Sequence, residues 1–139
     1  MPIRDCPFTQ CDSNVSRLFL PVRIINPKTR KGLLTLGLID TGADECSIPG
    51  DLAKVLEYDL ATGKKKEIFT GGGKIVAFSH LTRFEILHPE SGKVVYTTPD
   101  TPIDFLPDLH VVLLGVNSFL GRFVLNIDYP RKVFSITRP

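Results

Sequence analysis

Nothing in this 139-residue sequence approaches the roughly 18 consecutive apolar residues that a membrane span requires, and no basic segment followed by an apolar stretch opens it. A soluble chain with no cleaved signal and no membrane partner is the expectation. Excess charge is missing too: 17 basic and 15 acidic side chains leave a formal +2, too little to argue for nucleic acid as a partner. The cysteines number only three, an odd count without a C-x-x-C pair, so a structural zinc site is not indicated. Cys6 and Cys11 could pair across a short loop, but a reducing, cytoplasmic interior is the default. His80, His88 and His110 share no metal-ligand spacing and read as surface or loop residues. No metal and no cofactor is expected, and there is no internal repeat.

What remains is ordinary globular material, 42% hydrophobic and 23% charged, long enough for one core and too short for two catalytic lobes. Residues 1–16 (MPIRDCPFTQCDSNVS) lack periodicity and read as an irregular N-terminal arm. From Arg17 the texture changes to short apolar runs broken by turn residues, so residues 17–139 are taken as the folded domain. RLFLPVRII, Asn26-Pro27-Lys28 and GLLTLGLI predict strand, turn and strand. Leu52, Val55 and Leu56 suit a short helix. Lys64 to Lys66 read as a solvated connection. KEIFT and KIVAF predict a hairpin through Gly71, Gly72 and Gly73, with a mobile tip. TRFEILH and KVVYTT predict a second hairpin around Pro89 to Gly92. Pro99, Pro102 and Pro107 predict a constrained loop, in which Asp100, Asp104 and Asp108 form no carboxylate cluster. His110 to Gly115 reads as a buried strand, Asn117 as the N-cap of a short helix through Leu120, and the tail as a hairpin turning at Asp128-Tyr129-Pro130. The class is all-β with one or two short helices.

One tripeptide carries chemistry. Asp40-Thr41-Gly42 follows directly on the apolar strand Leu33 to Ile39, placing an ionisable group where a buried strand enters a tight turn. A carboxylate there is poorly solvated, which marks a functional candidate. Gly42 frees the backbone to turn, and the Thr41 hydroxyl can hold the turn by a main-chain hydrogen bond. Hydrolysis by paired carboxylates needs two such groups sharing a proton. The chain has one such turn, since Asp100 is followed by Thr-Pro and Asp128 by Tyr-Pro. A two-fold axis that joins Asp40 to its copy in a C2 dimer is the economical solution.

At these residues the sequence resembles the retropepsin-like aspartic proteases, the retroviral enzymes and their single-domain bacterial and cellular relatives, from about residue 20 to the end. Leu38 to Asp44 looks like the catalytic loop, continuing into the strand Cys46-Ser47-Ile48. Phe69 to Ile75 looks like the glycine-rich flap, and Val112 to Leu120 like the second signature that packs behind the loop. The resemblance implies a closed acid-protease barrel active as a homodimer on a peptide or protein substrate. It implies that Asp40 is catalytic within the turn of Thr41 and Gly42, with Ala43, Asp44, Gly71, Gly72, Gly73 and Leu113 on the substrate side. Val116 stands where many viral enzymes carry an arginine that can pair with the acid after the catalytic alanine, here Asp44. The tail from Phe123 to Ile136 is longer than the viral C-terminus and resembles the terminal hairpin of bacterial and cellular relatives.

Plainer readings stand beside these. Asp-Thr-Gly also makes structural turns, and Gly71 to Gly73 also makes a simple hairpin tip. A phosphate loop is excluded, because Ile68 and Ile75 occupy positions that need Gly and Ser or Thr. Cys46 has no histidine partner and reads as a buried apolar residue rather than a nucleophile. A metal or redox module on Cys6, Cys11 and a histidine is a distant rival. The main rival from another class is a catalytically silent module that uses the same fold for dimerisation or peptide binding.

Overall fold

The computed structural model describes all 139 residues, the side chain of Thr70 excepted. Alternation of apolar side chains builds its centre. In the strand Phe19–Ile25, Leu20, Val22 and Ile24 are wholly buried while their neighbours are half-exposed, as a strand with one face on a core requires. In chain order the strands are β1 (Pro2–Pro7), β2 (Thr9–Gln10), β3 (Ser16–Arg17), β4 (Phe19–Ile25), β5 (Gly32–Ile39), β6 (Ser47–Pro49), β7 (Lys64–Thr70), β8 (Gly73–Leu87), β9 (Val94–Thr97), β10 (Thr101–Leu106), β11 (Val112–Leu114), β12 (Val124–Asp128) and β13 (Val133–Thr137). A short helix, α1 (Leu52–Val55), lies where the spacing of Leu52, Val55 and Leu56 places it, and single 3₁₀ turns occupy Leu60–Thr62 and Leu120–Arg122.

The large sheet closes on itself. Its ladder runs β10, β6, β11, β5, β4, β8, and β8 pairs back onto β10. Closure depends on the length of β8, fifteen residues. Its end from Arg83 to Ile86 pairs with β4, while Phe78 to Thr82 pairs with β10. Closing the ring pairs the edge that β10 would otherwise leave free. Inside sit Leu20, Val22, Ile24, Ile48, Phe84, Ile86, Phe105 and Leu114. The all-β barrel with short helices is the architecture expected, and the hairpins β7–β8, β8–β9 and β12–β13 fall where the turn residues predict.

Four expectations are corrected. Residues 1–16 are not an irregular arm set apart from the domain: β1 pairs with β13 and puts Ile3 and Cys6 into the common core. A register shift between Ile3 and Cys6, with Asp5 at φ 49°, spaces the buried pair by three residues, which hides the period of two. Lys64 to Lys66 begin strand β7 rather than a connection; β7 ends the ladder path, and lysines suit such an edge. The proline-bounded loop contains β10, in which Ile103, Asp104 and Phe105 are all buried, so Asp104 belongs to a strand between β6 and β8. Asn117 caps no helix: its N–H donates to the Asp44 carbonyl, and the 3₁₀ turn begins only at Leu120.

Candidate active site

Strand β5 delivers Asp40. The Ile39 N–H donates to the Leu18 carbonyl at 2.9 Å, and the Asp40 N–H donates to the Leu114 carbonyl at 3.1 Å, so the strand end is tied on both sides. The turn then closes twice. The Asp40 carbonyl accepts from the Ala43 N–H at 3.2 Å, and Asp40 Oδ1 accepts from the Gly42 N–H at 3.0 Å. A side-chain oxygen taking a hydrogen bond from two residues on is the Asx turn that Asp readily forms. It orients the carboxyl group and engages one of its two oxygens. Asp40 is half-buried, while Thr41 and Gly42 are exposed, so the acid sits at the rim of the barrel with its turn open to solvent.

The second signature braces this loop from behind. The Val116 N–H donates to the Ala43 carbonyl at 2.9 Å and the Asn117 N–H to the Asp44 carbonyl at 2.7 Å. Gly115 permits the approach: a β-carbon on it would run into the Glu45 carbonyl and stand 2.8 Å from the Ala43 oxygen. Leu113 pairs with Leu38 in a parallel ladder and is half-buried, so it lies one strand from the residues that lead to Asp40.

Glu45, Asn117 and Ser118 are site residues that sequence reasoning missed. The Glu45 carboxylate accepts from Asn117 Nδ2 and Ser118 Oγ, each at 3.0 Å. With Val116 in place of an arginine, neutral donors one and two positions later hold an acid of the loop, Glu45 rather than Asp44. These partners are 72 and 73 residues apart in the chain, so no local pattern marks them.

The remaining candidates divide. Gly71 and Gly72 form the turn of the β7–β8 hairpin, closed by the Thr70–Gly73 pair. Gly73 has φ +112°, and a β-carbon on Gly71 or Gly73 would meet no atom within 4 Å, so the tip projects from the body. Next to the hairpin, Lys74, Ile75 and Val76 share a cavity of about 390 Å³ with Leu106 to Leu109. Cys46 is buried, and burial pushes its thiol up to about 11, opposed by hydrogen bonds from Gly115 and Ser118. A thiol held protonated is a poor nucleophile. His80 packs edge-to-face on Phe105 and tilted against Tyr58, its Nε2 3.0 Å from the Leu60 carbonyl, and His88 Nδ1 accepts from the Glu90 N–H at 3.1 Å. Cys6, Cys11 and Cys46 are free thiols.

No family model matches the sequence, and no curated protein matches it. Solved structures do match. A retropepsin-like aspartic protease from Rickettsia conorii superposes with a TM-score of 0.65 at 18% identity, over 98% of this chain and 88% of that one. The EIAV protease in complex with the inhibitor HBY-793 matches at a TM-score of 0.45 and 25% identity, over 76% of this chain and 88% of that one. The chain has the retropepsin-like fold.

Proposed function

We propose that this retropepsin-like chain is one half of an aspartic endopeptidase, completed when a two-fold axis brings Asp40 of one protomer to Asp40 of another. The observation that carries the reading is the presentation of Asp40 at the end of β5, just past buried Ile39, with one carboxylate oxygen fixed by the Gly42 N–H and the other free of that bond. A lone carboxylate so placed has half of what peptide hydrolysis needs. Two of them about 3 Å apart share a proton, because like charges that close resist joint ionisation.

In this mechanism one carboxylate takes a proton from a water held between the pair. The water oxygen attacks the peptide carbonyl, and the protonated partner donates to the carbonyl oxygen. The resulting diol collapses as a proton passes to the leaving amine, breaking the C–N bond and leaving no acyl-enzyme. The Gly42 and Ala43 N–H groups hold the turn, within which Thr41 stands exposed. Ala43, Asp44 and Leu113 line the substrate side, and the Gly71–Gly73 hairpin closes over an extended peptide whose backbone needs room that side chains would fill. Water and paired acids suffice for this chemistry.

The test is Asp40→Asn, which keeps volume and the Asx-turn acceptor while removing the ionisable group. Peptide cleavage at mildly acidic pH should fall by roughly 10²–10⁴-fold. Cleavage at the wild-type rate would reject the assignment. Capture of an extended peptide by the wild-type chain without turnover would instead identify a silent binding module.

A further inference from the structure

A groove of about 570 Å³ opens on the outer wall of the barrel, lined by Leu34 and Leu36 of β5 together with Pro21, Leu52, Val111 and Val112. The two leucines are 58% and 45% exposed. Large apolar side chains kept next to one another in water forgo the stabilisation that covering them would bring, and a patch of this kind marks an interaction surface.

The groove leads into the candidate active site along β5. Leu34, Leu36 and Leu38 alternate with Thr35, Gly37 and Ile39, so they share the outward face of the strand, and Asp40 takes the next place in that alternation. Leu38 lies beside Leu113 in the ladder with β11, and Leu36 beside Pro21 in the ladder with β4. Exposure of the row rises with distance from Asp40, from half-buried Leu38 to Leu34. A polar margin bounds it there, since Arg23, beside Leu34, pairs with Glu85 at 2.8 Å. At about 3.3 Å per residue, Leu36 stands about 13 Å and Leu34 about 20 Å from Asp40 along the strand. An extended peptide of about four to six residues spans that distance and presents its side chains with the same period of two. Both edges of β5 are already paired, by β4 and β11. An occupant therefore binds through side chains laid on the face rather than by strand addition.

Resting on the protease reading above, we infer that this groove holds an apolar stretch of the substrate chain about four to six residues from the scissile bond, outside the catalytic cleft. Contacts so far from the reacting atoms act alike on substrate and transition state, so they lower KM and leave kcat unchanged. The test uses peptides with one common core, flanked on either side by segments in which Leu or Ser recurs at every second place. Cleavage is measured for the wild type and for Leu34→Thr/Leu36→Thr, two exposed positions where Thr keeps the strand propensity. Affinity of the same peptides, fluorescently labelled, is measured in the Asp40→Asn background with and without the two Thr substitutions. Circular dichroism and sedimentation follow the fold and the association of each variant.

Leu flanks should exceed Ser flanks by at least about tenfold in kcat/KM, the scale of burying one leucine, with the change in KM. The double variant should lose this advantage and cleave the bare core as the wild type does. Equal treatment of the two flanks, or an advantage that the double variant keeps, would overturn the groove. Loss of self-association in the double variant would make the face a contact between copies and overturn it as well. Cleavage without preference for Leu flanks rejects the groove and leaves the protease. Binding of Leu-flanked peptides that depends on Leu34 and Leu36, without any cleavage, rejects the protease and leaves the groove, and neither binding nor cleavage rejects both.

Discussion

Gly115 and Glu45 meet backbone to backbone: the α-carbon of the one lies so close to the carbonyl of the other that no side chain fits between them. This contact lets the Val116 and Asn117 N–H groups reach the Ala43 and Asp44 carbonyls. Gly115→Ala must therefore push the Asp40 loop and its brace apart. We expect a loss of about 3 kcal/mol or more, beyond the usual cost of overpacking because backbone rather than a flexible side chain must move. Urea unfolding of the variant measures it, and a loss under about 1 kcal/mol would show that the two segments separate easily.

If the complete site needs two protomers, specific activity falls on dilution. Activity at fixed substrate should drop faster than enzyme concentration once the dimer dissociates, and sedimentation should show the same midpoint. The pH profile should be a bell on the acidic side, since only the singly protonated carboxylate pair works. A monomer that hydrolyses peptides at every concentration would contradict the shared site.

Gly73→Ala tests the hairpin. At φ +112° an L side chain is strained, by an amount on the order of 1–3 kcal/mol. A β-carbon there would meet no atom within 4 Å, so the strain stays within the turn. Thermal unfolding of the body should hardly shift, while kcat/KM for extended peptides should fall. Unchanged turnover would argue against hairpin closure over the substrate.

Cys46 predicts an alkaline limit. Its thiol rises from 9.0 to about 11 on folding, chiefly through burial. The sign follows from proton binding: above pH 9 the unfolded chain releases a proton that the folded chain retains. Stability is full below 9 and declines as pH climbs to about 11, by roughly 2–3 kcal/mol in all. Cys46→Ala should flatten the part of this decline that belongs to the thiol. Iodoacetamide at neutral pH should label exposed Cys11 and spare buried Cys46.

Arg131 predicts an acid limit at the other end of the fold. Its side chain and N–H donate to Asp128 at 2.7 and 3.0 Å, and it reaches Asp5 of β1 at 3.4 Å. These hydrogen bonds hold the Asp128 carboxyl below its ordinary 3.8. A depressed carboxylate stabilises the fold above its unfolded value and ceases to do so as pH falls through the folded one. The stability difference between wild type and Arg131→Ala should therefore be present at pH 7 and shrink below about pH 4. A difference that stays constant with pH would assign Arg131 a packing role instead.

Local pattern was enough for much of this molecule. The alternation of β4, the turns of three hairpins, the helix at Leu52 and the Asp-Thr-Gly turn are short-range facts, because side-chain period and turn chemistry act over a few residues. The same locality explains what stayed hidden. Strand β1 carries a register shift that erases its period, β7 opens with three edge lysines, and β10 is flanked by prolines; each is a strand because of its neighbours rather than its composition.

The sequence by itself determined that a carboxylate stands where an apolar strand runs into a turn, and that the chain contains one such turn. Only the tertiary structure decided what holds that turn and what surrounds it. The closed sheet brings β11 beside β5, joining Asn117 and Ser118 to Glu45, and sets both β7 and β10 against β8, joining Lys66 to Asp104. Those partners are chosen by strand order and register, which are properties of the closed sheet as a whole.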